Sequence, residues 1–152
     1  MLDKPLKGLE RLQKEGQRHK NNPLIDYFSA SALLKLKRNQ EALDILLQGN
    51  RYDTAKVQYI PFWHFLQGKA YYFKNDYTQA QRSLALFVRG YEGSLMRTDA
   101  YFRLGMSLTL NQRYELGKPF FELIAKGKHG GFDEDEYASF MAKKFAEKEP
   151  DG

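Results

Sequence analysis

The sequence predicts an all-α chain, a solenoid of stacked helical hairpins, and three observations predict it. First, small residues recur at Ala30, Gly68 and Gly105, 38 and then 37 residues apart. Second, another small residue recurs in the second half of each unit, at Ala42, Ala80 and Gly117, and a large apolar residue follows four positions later at Leu46, Leu84 and Phe121. Third, each unit breaks midway, at Lys37-Arg38-Asn39, Lys74-Asn75-Asp76 and Leu110-Asn111-Gln112. Each break holds an Asn, which tolerates left-handed backbone and bonds its own main chain. A period of this length marks units that bury their apolar faces only against one another.

The elements follow in order. Over residues 3–19, Leu6, Leu9 and Leu12 stand three apart among charges, the narrow apolar stripe of an amphipathic helix. It serves as the second helix of a preceding repeat or as a cap on the stack. Asn22-Pro23 opens a helix over 23–36 and Ile60-Pro61 one over 61–74, because proline in the first turn breaks no hydrogen bond. Thr98-Asp99 supplies an N-cap pair for 98–110. The second helices of the hairpins fall at 40–48, 77–89 and 114–126, and Pro119 is expected in a first turn or at a slight kink. The connectors carry Tyr52, Val57 and Tyr59, then Tyr91, Leu95 and Met96, which suits loops that pack back. Glycines between Gly127 and Gly131 suit a helix C-cap and turn. Asp133-Glu134-Asp135-Glu136 then opens a last helix over 133–148, where carboxylates suit the positive end of the helix dipole. Tyr137, Phe140, Met141 and Phe145 follow at helical spacing and are expected to bury against the third unit.

The small residues have a mechanical reason. At Ala30, Gly68 and Gly105, and at Ala42, Ala80 and Gly117, they let the two helices of a hairpin approach closely, while Tyr71, Tyr77, Tyr114 and Phe121 fill the space around them.

Unit two reads His64, Gln67-Gly68, Tyr71, Tyr77, Ala80 and Leu84; unit three reads Tyr101, Leu104-Gly105, Leu108, Tyr114, Gly117 and Phe121. Unit one is weaker, with Asp26, Ser29-Ala30, Leu33, Asn39, Ala42 and Leu46. Over residues 22–126 this resembles the tetratricopeptide repeat, about three copies of it. The resemblance implies a right-handed α-α superhelix forming a single domain over 1–152. Its repeats lie at about 22–50, 61–90 and 98–127, between flanking helices at about 3–19 and 133–148. It also implies a concave surface, lined by the first helix of each hairpin, that holds a protein or peptide segment. Carried over by position, that lining includes Tyr27 in unit one, Phe62, Phe65, Lys69 and Tyr72 in unit two, and Phe102, Arg103 and Met106 in unit three. Aromatic and Met side chains bury much area at low entropy cost, so an exposed stripe of Phe65, Tyr72 and Phe102 reads as a binding surface. A clamp for a terminal carboxylate, which some members of the family build from Lys and Asn, is matched only by Arg103.

Composition narrows the rest. Apolar residues at 42% and charged residues at 28% are ordinary for a folded chain and argue against disorder. The absence of cysteine excludes disulfides, thiolate nucleophiles and Cys-ligated zinc. A net charge of +5 invites nucleic acid, but the basic residues alternate with acidic ones, as at Glu10-Arg11 and Lys14-Glu15, in the manner of a solvated face. The three histidines are scattered: His64 takes a packing position, and His129 beside the acidic run lacks metal-ligand spacing. No phosphate-binding loop follows Gly127–Gly131. The reading is therefore a non-catalytic protein-interaction scaffold, without cofactor, metal or membrane insertion. The alternative is a self-associating repeat segment, forming a homo-oligomer, from a larger protein of bacterial style. With no apolar leader at Met1–Lys7, the chain as written reads as cytoplasmic.

Overall fold

A computed structural model describes residues 3–18, 22–51, 60, 62–91 and 96–126. Among these the chain is all-α: α1 (Asp3–Arg18), α2 (Pro23–Lys35), α3 (Asn39–Leu47), a 3-10 turn (Gln48–Arg51), α4 (Trp63–Phe73), α5 (Tyr77–Gly90), α6 (Arg97–Leu110) and α7 (Tyr114–Ala125). The chain divides into two compact units, Met1–Asn75 and Asp76–Gly152, a boundary that falls at the Lys74-Asn75-Asp76 break, inside the second repeat rather than between repeats. The helix expected over 133–148, with Tyr137, Phe140, Met141 and Phe145, lies outside the described residues, as do His19, His129, Pro61, Tyr52, Val57, Tyr59 and Leu95.

In the first unit each helix packs on the next: α1 on α2, α2 on α3, α3 on α4, with α2 also touching α4. α2 starts as the sequence dictates. The Asn22 side chain accepts a hydrogen bond from the Leu24 N–H at 3.0 Å, and Pro23 occupies the first turn. Leu9 of α1, Ala30 and Leu33 of α2, Ala42 and Leu46 of α3 and Trp63 and Leu66 of α4 are all buried. Burying each large apolar side chain contributes about 1.5–3 kcal/mol. α4 contacts both α2 and α3, and its buried residues accordingly fall on two arcs, Trp63, Leu66 and Ala70 on one and Phe65 and Gly68 on the other. The Trp63 ring lies so close to the 3-10 turn that a Cβ on Gly49 would stand 2.7 Å from it.

The second unit repeats the pattern, α5 on α6 and α6 on α7. The α6–α7 hairpin is built on two glycines. A Cβ at Gly117 would sit 2.7 Å from the Gly105 carbonyl oxygen, and one at Gly105 would sit 2.9 Å from the Phe121 ring. The helices therefore touch backbone to backbone, and the room left above Gly105 is filled by Phe121, which has no exposed surface. Around it Tyr101, Phe121 and Ile124 form a cluster, with Phe102, Met106 and Phe120 packed against them.

The period survives in the backbone. Outside glycine, the left-handed residues at the breaks are Lys37, Asn75 and Gln112, with φ of 61°, 65° and 64°, each two residues past the end of its helix. At the first break the Lys37 N–H donates to the Leu34 carbonyl at 3.0 Å and the Arg38 N–H to Leu33 at 2.8 Å. At the third, Gln112 donates to Thr109 at 3.0 Å and Arg113 to Leu108 at 2.8 Å. Both are Schellman caps. At the second, the Asn75 N–H donates to Tyr72 at 3.0 Å. Asn was expected to take the left-handed position in all three breaks and does so only at Asn75. The geometry belongs to the second residue after the helix, whichever side chain stands there.

A side-chain tie recurs at nearly the same spacing, 34 residues and then 33. In the first unit Lys74, the C-cap of α4, donates to the Gln40 side chain at the start of α3. In the second, Asn111, the C-cap of α6, donates to the Thr78 hydroxyl at the start of α5, at 3.0 Å. α4 and α6 are thus each pinned in the same way to the helix before them.

Three expectations change. α6 begins at Arg97 with Met96 as its N-cap, because the Ala100 N–H already bonds the Met96 carbonyl at 2.9 Å; Thr98 and Asp99 lie within its first turn. Pro119 lies in the second turn of α7, on an exposed side of the helix, which removes the first-turn alternative and leaves that of a slight kink. His64 is exposed and Trp63, one residue earlier, takes the packing place at 2% exposure, since a step of one residue turns the side chain by about 100°.

Candidate functional site

The residues carried over from the repeat pattern are placed as follows. In the first unit Tyr27 is half-buried with its ring edge-on to Phe28 at 5.2 Å, and burial pushes its hydroxyl above the ordinary tyrosine range. Phe62, Lys69 and Tyr72 are half-buried at α4, and Tyr72 lies edge-on to Phe73 at 6.0 Å. Phe65 departs from the exposed stripe. It is only 2% exposed, and the Lys69 ammonium stands 5.4 Å from its ring centroid as a cation–π cover.

In the second unit Phe102 stands edge-on to Phe121 at 6.2 Å, and both Phe102 and Met106 pack against the aromatic cluster. Arg103 is engaged by Asp99 one turn back. These three side chains are committed largely to packing and pairing. Tyr91 packs back as expected, stacked on Phe87 at 5.3 Å, with Arg97 bonded to its carbonyl and to the Tyr101 hydroxyl.

A different surface of the second unit is open. A groove of about 570 Å³ runs over α5, α6 and α7. Leu104 and Leu108 of α6, both buried, form its floor. Leu86 of α5 and Leu116 of α7, 47% and 57% exposed, stand as its walls, with Phe120 beside Leu116. Arg82 and Arg89 flank Leu86 along α5, and no carboxylate lines the groove among the described residues. A cavity of this size with apolar walls and few polar groups is the usual form of a binding site.

This groove is not a by-product of the repeat. One period earlier, Leu86 corresponds to Gln48, Leu104 to Gln67, Leu108 to Tyr71 and Leu116 to Gln79, while Arg82 corresponds to Asp44. The packing positions behave oppositely: Ala30, Ala42, Ala80, Leu46, Leu84 and Phe121 are all 0–1% exposed. At these four positions apolar character is therefore local to α5–α7, although Ala85 is matched one period earlier by the exposed Leu47. The resemblance directs attention to the first helices, and so passes over Leu86 and Leu116 on the second helices; the replacement of Gln, Gln, Tyr and Gln by four leucines was the signal available.

No protein-family model, curated protein or solved structure matches the chain. Among the described residues no helix is long and apolar enough to cross a membrane.

Proposed function

We propose that the protein is a non-catalytic interaction scaffold, a right-handed stack of three tetratricopeptide-like hairpins that binds a segment of another protein. The observation that carries this reading is the apolar groove over α5, α6 and α7, whose Leu86 and Leu116 remain exposed although the same period places polar residues at the matching positions. Exposed apolar side chains gathered in a groove, rather than scattered, mark a surface kept for a partner. The repeated left-handed residues at Lys37, Asn75 and Gln112 and the repeated C-cap ties support the hairpin array. The half-buried Tyr27, Phe62, Lys69 and Tyr72 offer a secondary contact surface in the first unit.

Capture from lysate on the immobilised chain, compared with a Leu86→Asp/Leu116→Asp variant of unchanged circular dichroism, tests the reading. A protein retained by the natural chain and lost by the variant supports it; a capture profile identical for both removes the groove from the function.

A second reading is self-association, favoured by Leu24 and Phe28, both 52% exposed and one turn apart on α2. Its signature is a mass that rises with concentration and falls back with Phe28→Glu.

A further inference from the structure

A scaffold's partner is defined by the chemistry its groove can receive, and this inference rests on the interaction reading above. The walls are helices whose main chains are internally bonded, so the groove offers no free strand edge to an extended peptide. A helix satisfies its own backbone and brings only side chains, which is what a trough of Leu86, Leu104, Leu108, Leu116 and Phe120 can receive. Along α5 the distance from Arg82 to Arg89 is two turns, about 10 Å at 1.5 Å per residue, enough for two turns of a bound helix.

Charge decides the rest. Arg82 and Arg89 stand on the same stripe as Leu86, at the spacing of i, i+4 and i+7, and neither has an ion pair among the described residues. Arg38 and Arg103, by contrast, are engaged by Glu41 and Asp99 on their own helices. An arginine fork is matched to carboxylate, and the chain's net charge of +5 favours approach of an acidic surface. One period earlier the place of Arg82 is held by Asp44, of opposite charge, and that of Arg89 by Arg51, so the pair of arginines is particular to α5.

We propose that this groove docks an acidic amphipathic helix of a partner protein. The helix lays an apolar stripe at i, i+4 and i+7 over Leu104 and Leu108, and sets Asp or Glu beside that stripe against Arg82 and Arg89. The exposed walls Leu86 and Leu116 supply most of the apolar area to be buried, and the two arginines set orientation and exclude basic helices.

The probe is a displayed library of peptides held helical on a fixed scaffold, selected on the full chain. Enriched sequences should carry the apolar stripe with Asp or Glu along one flank. Their binding should fall by at least roughly tenfold on the Arg82→Glu/Arg89→Glu variant and return when the peptide's flanking carboxylates become Lys. Enrichment of neutral or basic sequences, or acidic ones indifferent to that charge reversal, overturns the proposal. Selected peptides that ignore Leu86→Asp/Leu116→Asp overturn it too, while leaving the scaffold reading standing. So does tighter binding of a peptide of residues 133–148 than of any selected sequence, or a dimer that Leu86→Asp dissolves, since the occupant is then this chain. Failure to enrich any sequence refutes the helix; it touches the scaffold reading only if lysate capture is also indifferent to the groove.

Discussion

The α2–α3 and α6–α7 hairpins solve one packing problem with opposite allocations of volume. In the first, the repeat sets Ala30 and Ala42 at the crossing positions, both fully buried, and Leu46, 1% exposed, at the position of the cover. In the second, the crossing residues are Gly105 and Gly117, and the cover is Phe121. Removing two methyl groups from the crossing brings the backbones into contact, and an aromatic ring fills what remains. The lesson is that the repeat preserves the filled space between helices and not the residues that fill it. A large residue is tolerated only where the crossing has been cut back.

The largest test removes the cover. Phe121→Ala should cost about 3–5 kcal/mol in urea unfolding, the range for an aromatic truncated in a core, because its ring has the Gly105 backbone beneath it and the Tyr101–Ile124 cluster beside it. A loss below about 1 kcal/mol would mean that the hairpin closes without the ring, well under what a buried aromatic normally contributes.

The next test restores a methyl to the crossing. Gly117→Ala places a carbon against the Gly105 carbonyl, a neighbour that cannot rotate away, and should cost about 1–3 kcal/mol despite the better helix propensity of Ala. Gly105→Ala meets the Phe121 ring instead. That cost should shrink when combined with Phe121→Leu, which converts the hairpin toward the Ala30–Leu46 solution; strict additivity of the two would sever the comparison between the hairpins.

A smaller effect of opposite sign belongs to the breaks. Gln112→Gly and Lys37→Gly relieve a left-handed non-glycine residue and should each raise stability by up to about 1 kcal/mol, the same in both units if the two caps are equivalent.

The smallest concerns Arg38 and Glu41, paired through hydrogen bonds of 2.5 and 2.7 Å on the exposed start of α3. The hydrogen bond from Arg38, with its charge, holds the Glu41 carboxyl below the ordinary range. A lowered folded value means stability present above the unfolded pKa and lost as pH falls through the folded one. Glu41→Gln should therefore flatten only the acid limb of the stability profile, and slightly, because water screens an exposed pair.

Much of the scaffold was legible in the sequence. Gly105, Gly117 and Phe121 were readable because steric contact demands specific sizes at specific spacing. Asn22-Pro23 was readable because a cap is a local bond. The left-handed residues were not, since Lys37 and Gln112 carry no chemical mark of the conformation that the Schellman bonds impose on them. Phe65 could not be assigned to the interior from spacing, because α4 is buried on two arcs and presents no single apolar stripe. The groove was hidden for another reason: Leu86 looks like any leucine on an amphipathic helix until the neighbouring α7 is seen to bring Leu116 to the same trough.

The turns at Lys37, Asn75 and Gln112 also set the unit in which this chain can grow or shrink. Main-chain bonds fix each turn, so an exchange of genetic material that adds or removes one whole turn-to-turn interval rejoins a helix to a turn in the same rotational phase. Any other length turns the next helix by about 100° for each residue of error and carries its buried side chains round toward water. Natural length variants of this chain should therefore differ by whole intervals, with smaller insertions confined to the connectors after residues 51 and 91.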